Sequence, residues 1–305
     1  MRRENRKLEC LASAGDVPLP SCNAILLISC PDQPGIIAKV SSLLFNNGCN
    51  IIDSAQHTDA EDGHFFWRLS FDSPRVDIAG LRDLLSLSFP ALFPELELKW
   101  ELFDSGTRQR MVIMVSRLGH CMIDLLSRHH SNELDAEIVS VISNHPDLEP
   151  LASPFGVPFA VIPVKKENKQ QAETRLLKKL TELRCDSVVL ARYMQVLSGD
   201  FLKQWRKPII NIHHSFLPAF VGAKPHKQAR ERGVKLIGAT AHYVTEDLDA
   251  GPIISQGTAS ITHRDNLQEL ARKGKDVEVV VLAKAVRAHL QHRVLVHHNR
   301  TIVFE

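Results

Sequence analysis

At 305 residues, with 44% hydrophobic and 24% charged side chains, the chain has the composition of a globular protein with room for two domains. A formal net charge of +2 gives no electrostatic footprint for nucleic acid, and no apolar stretch approaches the roughly 20 residues of a membrane span. Six cysteines without CxxC spacing argue against a zinc site or a disulfide framework and for reduced thiols in the cytoplasm.

Residues 1–22 start basic but lack the apolar core of a secretory signal, and read as a flexible extension. AILLISC (24–30) is a compact apolar run fit for a buried strand, and PDQPG turns the chain. Ile37, Val40, Leu43 and Leu44 then recur at helical spacing, with Gly48 placed to end the helix. Residues 51–58 and HFFWRLSF flank the turn-rich DAEDG as a predicted hairpin; a helix near 76–88 and the short strand ELELKWELF follow. The order βαββαβ over residues 23–103 predicts a ferredoxin-like open sandwich with both helices on one face of an antiparallel sheet. DSGTR (104–108) reads as a linker. Over residues 109–305, MVIMVS, EIVSVIS, FAVIPV, DSVVLA and KPIINI alternate with amphipathic segments such as AETRLLKKLTELR, which predicts a Rossmann-like α/β layer with a parallel sheet. Strands near HYVT and PIISQG, a long helix over about 266–289 and a last hairpin complete the chain.

Open α/β sheets place ligands outside the carboxyl ends of their strands. NIHHSFLP (211–218) begins at such an end. If the strand stays extended, Asn211 and His213 share a face, and alternation puts His214 on the opposite one. In AHYVTEDLDAGPIISQ, His242 opens a strand-like stretch and Glu246, Asp247 and Asp249 fill a loop closed by Gly251 and Pro252. By composition that loop reads equally well as a solvated turn. His129, His130, His297 and His298 read as solvated surface residues, and Met194 and Leu197 in RYMQVLS would ordinarily be core.

NIHHSFLPAF and HYVTEDLDAGPI carry the pattern Asn-x-His before a Leu-Pro turn and Asp two residues before Gly-Pro. In these segments the chain resembles the folate-dependent formyltransferase family. With HCMIDLL, VISNHPDL, VLARYMQVLS, GATAHYV and GKDVE it is most similar to the deformylase branch, which hydrolyses 10-formyltetrahydrofolate to tetrahydrofolate and formate. The βαββαβ unit resembles the ACT domain that this branch carries, with SCPDQPGI as its first loop. The resemblance implies catalytic roles for Asn211, His213 and Asp249: two N–H donors to a tetrahedral oxyanion and a carboxylate that relays protons. It implies a folate pocket walled by Met194, Gln195, Leu197, His242, Val244, Glu246 and Asp247, with Asp32 and Gly35 in the loop where an amino-acid effector would bind. It further implies no cofactor beyond the folate substrate, water as acceptor, a homo-oligomer, and a role in supplying formate for purine synthesis and balancing one-carbon folates.

Rival functions make different demands. Formyl transfer to glycinamide ribonucleotide requires a phosphate cradle, which that branch builds from a Gly-rich loop after the first strand; here VSRLGHCM offers only Gly119. Methionyl-tRNA formylation calls for an added RNA-contacting domain, and none is expected before Glu305. A non-catalytic amino-acid or folate sensor would not need intact Asn211, His213 and Asp249. A zinc hydrolase is disfavoured because no HExxH or HxH spacing is present, so no metal is expected. The chain departs from the family at Ser255 and Gly257, where acidic residues are common, and at His226, where an aromatic residue is.

Overall fold

The computed structural model describes residues 22–219 and 225–305; the expected N-terminal extension up to residue 21 and the side chain of His226 lie outside the described residues. Contacts divide the chain between Thr107 and Arg108 into two units. Among the described residues, no helix is long and apolar enough to cross a membrane.

The first unit runs β1 (Cys22–Pro31), α1 (Ile36–Asn46), β2 (Asn50–Asp59), β3 (His64–Ser73), α2 (Ile78–Leu92) and β4 (Lys99–Asp104). β1 begins at Cys22 and β4 reaches Asp104, so the strands extend one residue beyond the expected span at each end. The sheet is antiparallel throughout, ordered β2-β3-β1-β4. Alternate side chains of β1 and β3, including Leu26, Ile28, Trp67 and Leu69, pack with Val40 and Leu44 of α1 and Leu81 and Leu85 of α2. α2 starts later than its apolar pattern suggests because the Asp77 carboxylate caps it, accepting from the Gly80 N–H at 2.8 Å. Asp32 and Gly35 are both exposed in the loop before α1, where Gly35 takes φ 93°.

The second unit runs β5 (Gln109–Val115), α3 (His120–His130), β6 (Ala136–Ser143), α4 (Glu149–Ala152), β7 (Phe159–Val161), α5 (Lys169–Glu182), β8 (Ser187–Leu190), α6 (Gly199–Trp205) and β9 (Ile209–His213). It continues with α7 (Pro225–Glu231), β10 (Leu236–Tyr243), β11 (Ile253–Ser260), α8 (Leu267–Leu290) and a closing hairpin of β12 (Val294–His297) and β13 (Arg300–Val303). Seven strands form one sheet, β11-β10-β9-β8-β5-β6-β7, in which β5 to β9 are parallel and β10 and β11 antiparallel. One face packs on α3 and α8 through residues such as Ile113, Leu125 and Val286; the other packs on α5 and α6 through Val112, Leu176 and Phe201. Burial on both faces explains why these strands read as unbroken apolar runs.

From β5 the chain passes to β6 and β7 on one side, and β8 and β9 lie on the other, so the loops after β5 and β8 diverge at a topological switch point. His242 is the penultimate residue of β10 and does not open a strand. The preceding GATA segment opens with a glycine because a Cβ at Gly238 would lie 2.5 Å from the Gly257 carbonyl oxygen. His130 and His298 are exposed as expected, but His129 and His297 are half-buried. His129 falls one turn after Leu125 on the packed face of α3, and burial pulls its pKa below the usual value.

Candidate active site

Asn211 and His213 project from one face of β9 at its carboxyl end, and β10 pairs with β9 in the register Asn211↔His242. That pairing sets the His242 imidazole beside the Asn211 amide. The chain then leaves β10 and returns at Gly251, where an added Cβ would sit 1.8 Å from the Tyr243 carbonyl oxygen. Only glycine permits this approach, and it folds the loop back so that Asp249, with φ 55°, meets His213. A non-glycine residue held at positive φ is the kind of strain found at functional sites.

The hydrogen bonds fix the protonation of His242. Its Nδ1 lies 2.9 Å from the Tyr243 carbonyl oxygen, which can only accept, so Nδ1 carries a proton. Burial lowers the pKa of the ring, against the Tyr243 carbonyl and Asp249, which keeps it neutral and leaves Nε2 an acceptor. The Asn211 Nδ2 amide therefore donates to His242 Nε2, at 3.2 Å, and its second N–H is free for the cavity. Asp249 Oδ2 lies 3.2 Å from His213 Nδ1, and Oδ1 lies 3.8 Å from His242 Nε2. The bond from His213 holds the Asp249 carboxyl below the usual carboxylate range; partial burial opposes this, and the His213 and His214 charges add to it. His213 Nε2 is buried without a hydrogen-bond partner among the described residues. Such atoms in native structures call for a ligand, a water or a reacting group.

These groups open on a cavity of about 390 Å³. Asn211, His213 and Asp249 line it, together with Met194, Gln195 and Leu197 from the loop after β8. His242, Val244, Glu246 and Asp247 line it from β10 and the loop beyond. Met194 is 59% exposed, an apolar side chain on a cavity wall and not in the core, whereas Leu197 is buried. His214 departs from its expected position. β9 ends at His213, strand alternation stops there, and the His214 ring turns to the same cavity, its centroid 5.2 Å from that of His213. Sequence reasoning also missed Leu248 and Arg192, which line the same space. The positive φ of Arg192 (65°) carries no signal in a non-glycine residue.

The NIHHSFLP turn is anchored from below. Thr240 Oγ1 donates to the Ser215 carbonyl at 2.9 Å and accepts from the Leu217 N–H at 3.0 Å, while the Gln256 amide reaches the Leu217 carbonyl at 2.9 Å. Ser255 stands in β11 opposite Ala241. Gly257 lies where β11 crosses α8: a Cβ would be 2.7 Å from Val281 Cγ2, so an acidic side chain has no room.

A second polar cluster occupies the switch point. Glu278, its side chain 3% exposed on α8, accepts from His120 Nε2 at 2.8 Å and faces Arg192 Nε at 3.4 Å. Burial alone would raise its pKa, yet the His120 bond and the Arg192 and His214 charges together lower it, so the carboxylate is ionised. Its one sequence signal is a charged residue in GKDVE one turn after Gly274, on the buried face of α8. Donor atoms of His120, Cys121 and Glu278 lie within 4.8 Å of one another, as a metal ion would require. However, burial pushes the Cys121 thiol far up, which keeps it protonated, and Arg192 already supplies the counter-charge.

Comparison with known proteins matches this architecture in both units. The formyl transferase family model matches residues 109–286 and the ACT domain model residues 24–86. A formyltetrahydrofolate deformylase of Synechocystis sp. is 48% identical over 94% of this chain and 100% of its own length; one from Bacillus subtilis is 47% identical over 92% and 93%. The crystal structure of a Pseudomonas syringae formyltetrahydrofolate deformylase superposes with a TM-score of 0.89 at 44% identity, covering 94% of this chain and 95% of that one. A glycinamide ribonucleotide transformylase from Symbiobacterium toebii is more distant, with a TM-score of 0.62 at 28% identity over 67% of this chain. The chain, an ACT domain followed by a formyltransferase-type domain, belongs to the formyltetrahydrofolate deformylase family.

Proposed function

We propose that the protein hydrolyses 10-formyltetrahydrofolate to tetrahydrofolate and formate, with Asn211, His213 and Asp249 as its catalytic residues. The observation that carries this is the unpartnered, buried His213 Nε2 beside a free Asn211 N–H and the ionised Asp249, all facing one cavity. Water adds to the formyl carbon, the carbon–nitrogen bond breaks, the nitrogen gains a proton, and formate leaves as the anion with one proton released. The Asn211 and His213 N–H groups stabilise the tetrahedral oxyanion, a contribution of about 3 kcal/mol for each donor. Asp249 orients the imidazole through Nδ1 and relays the proton from the attacking water to the leaving nitrogen.

The cavity side chains Met194, Gln195, Leu197, Val244, Glu246 and Asp247 hold the folate; His242 also touches the cavity and orients Asn211. The reaction requires no cofactor. Water is the preferred acceptor because the loop from β5 to α3 offers a single glycine, and the first turn of α3 is taken up by the His120–Glu278 pair. Five free cysteines among the described residues support a reducing, cytoplasmic setting, where the released formate would serve purine synthesis and the one-carbon folate balance would be set. The ACT domain would take a small amino-acid effector near Asp32 and Gly35 and pair subunits; β2 is an edge strand, with Ile52 62% exposed, as such pairing needs. The test is incubation with 10-formyltetrahydrofolate, with and without glycinamide ribonucleotide. Formate release independent of the amine supports the proposal, and product formed only with the amine overturns it.

A further inference from the structure

Arg192 is the one lysine or arginine among the described residues lining the cavity, where Glu246, Asp247 and Asp249 are the acids. It follows β8 by two residues, at the switch point, in a left-handed backbone conformation (φ 65°) that a non-glycine side chain adopts at a cost. Its side chain is 10% exposed. Nε faces Glu278 at 3.4 Å, and Glu278 is itself held by His120 at 2.8 Å. Among the described residues, no hydrogen bond engages the guanidinium, and Nε itself is buried without one. The ion pair thus holds a planar cation on the cavity wall and leaves its N–H donors unspent.

The chemistry supplies a matching ligand. Resting on the hydrolytic reading above, the reaction turns a neutral formamide into a carboxylate anion inside a cavity whose three carboxylates would repel it. A guanidinium fork fits a carboxylate in two parallel N–H···O bonds, which a lysine ammonium does not reproduce.

We propose that Arg192, braced by Glu278 and His120, is the product-anion subsite of this cavity and captures the carboxylate of formate as the carbon–nitrogen bond breaks. Glu278 and His120 act as positioning residues: they touch Arg192 or its anchor and not the formate.

The test is titration of the full chain with carbon-labelled formate alone, followed by NMR, for the wild type, Arg192→Lys and Arg192→Met. Saturable broadening of the formate signal is expected in the wild type, weakened about tenfold or more in Arg192→Met and partly restored in Arg192→Lys. Equal affinities in the wild type and Arg192→Met, or no saturable binding in the wild type, would overturn the proposal. Should Arg192→Met fail to fold, the Arg192 Nε–H resonance of the wild type must shift with the same formate saturation; an unmoved resonance overturns it. Because the titration needs no turnover, a chain that binds formate through Arg192 but releases none from 10-formyltetrahydrofolate would sink the hydrolytic reading and leave the subsite standing.

Discussion

Two carboxylate–imidazole pairs lie in the second unit and differ in what is left over. Asp249 and His213 meet at 3.2 Å, and the far nitrogen of His213 is buried with no partner. Glu278 and His120 meet at 2.8 Å, and the same carboxylate also faces Arg192, so its charge is balanced inside the protein. The first pair is an open arrangement waiting for a ligand; the second is closed and spends its charge on holding a side chain. The lesson is that what stands beside the pair, an unpartnered imidazole nitrogen in one case and a second cation in the other, separates a reacting group from a brace.

The largest effect is expected from the closed pair. Glu278→Ala leaves Arg192 buried without its counter-ion and should lower unfolding stability by about 3–5 kcal/mol, read from chemical denaturation. An unchanged midpoint would mean that the pair is not closed. At the open pair, Asp249→Asn preserves shape but not charge, and turnover should fall by about two or more orders of magnitude while folate binding survives. Retained activity would remove Asp249 from the proton relay.

Acid separates both pairs from the histidines buried around them. Asp249 and Glu278 are held below the usual carboxylate range, so their stabilisation persists until the pH falls through those lowered values. His289, bonded through Nδ1 to the Tyr243 hydroxyl at 2.9 Å, is lowered by burial from 6.5 to about 4, and His242 is lowered as well. Below the ordinary histidine range the unfolded chain takes up protons that the folded chain refuses. Stability is therefore complete above that range and should drop by about 3 kcal/mol as the pH falls toward 4, with the slope reduced in His289→Leu. A flat profile across that window would contradict the neutral, buried state of these rings. The smallest effect belongs to His214, which shares the cavity but has neither the strand position nor the Asp249 bond of His213. His214→Asn should reduce turnover by about threefold, a fraction of the loss in His213→Asn, which the same steady-state assay compares.

The parts legible in sequence were those with a periodic or local cause. Apolar runs buried on both sheet faces marked β5 to β9, and alternation placed Asn211 and His213 together. The ACT and formyltransferase resemblance carried the domain order, and every cavity residue expected from it does line one space. What stayed hidden depended on where elements stop or cross. His214 turned inward because β9 ends one residue earlier, and β10 began well before His242 because glycine and alanine give little strand signal where backbones approach closely. Arg192 and Glu278 come from distant segments that only the sheet order brings to one switch point. Gly257 looked like a departure from the family; an added Cβ would lie 2.7 Å from Val281 Cγ2, which makes glycine a packing requirement between β11 and α8.

The central claim is that water accepts the formyl group at the open pair. Turnover of 10-formyltetrahydrofolate in water enriched in heavy oxygen, with no amine present, measures it directly by mass spectrometry of the product. The account predicts formate carrying one solvent oxygen, formed by the wild type and nearly lost in Asp249→Asn. Formate without solvent oxygen, or a formyl group recovered only on an added amine, would contradict it.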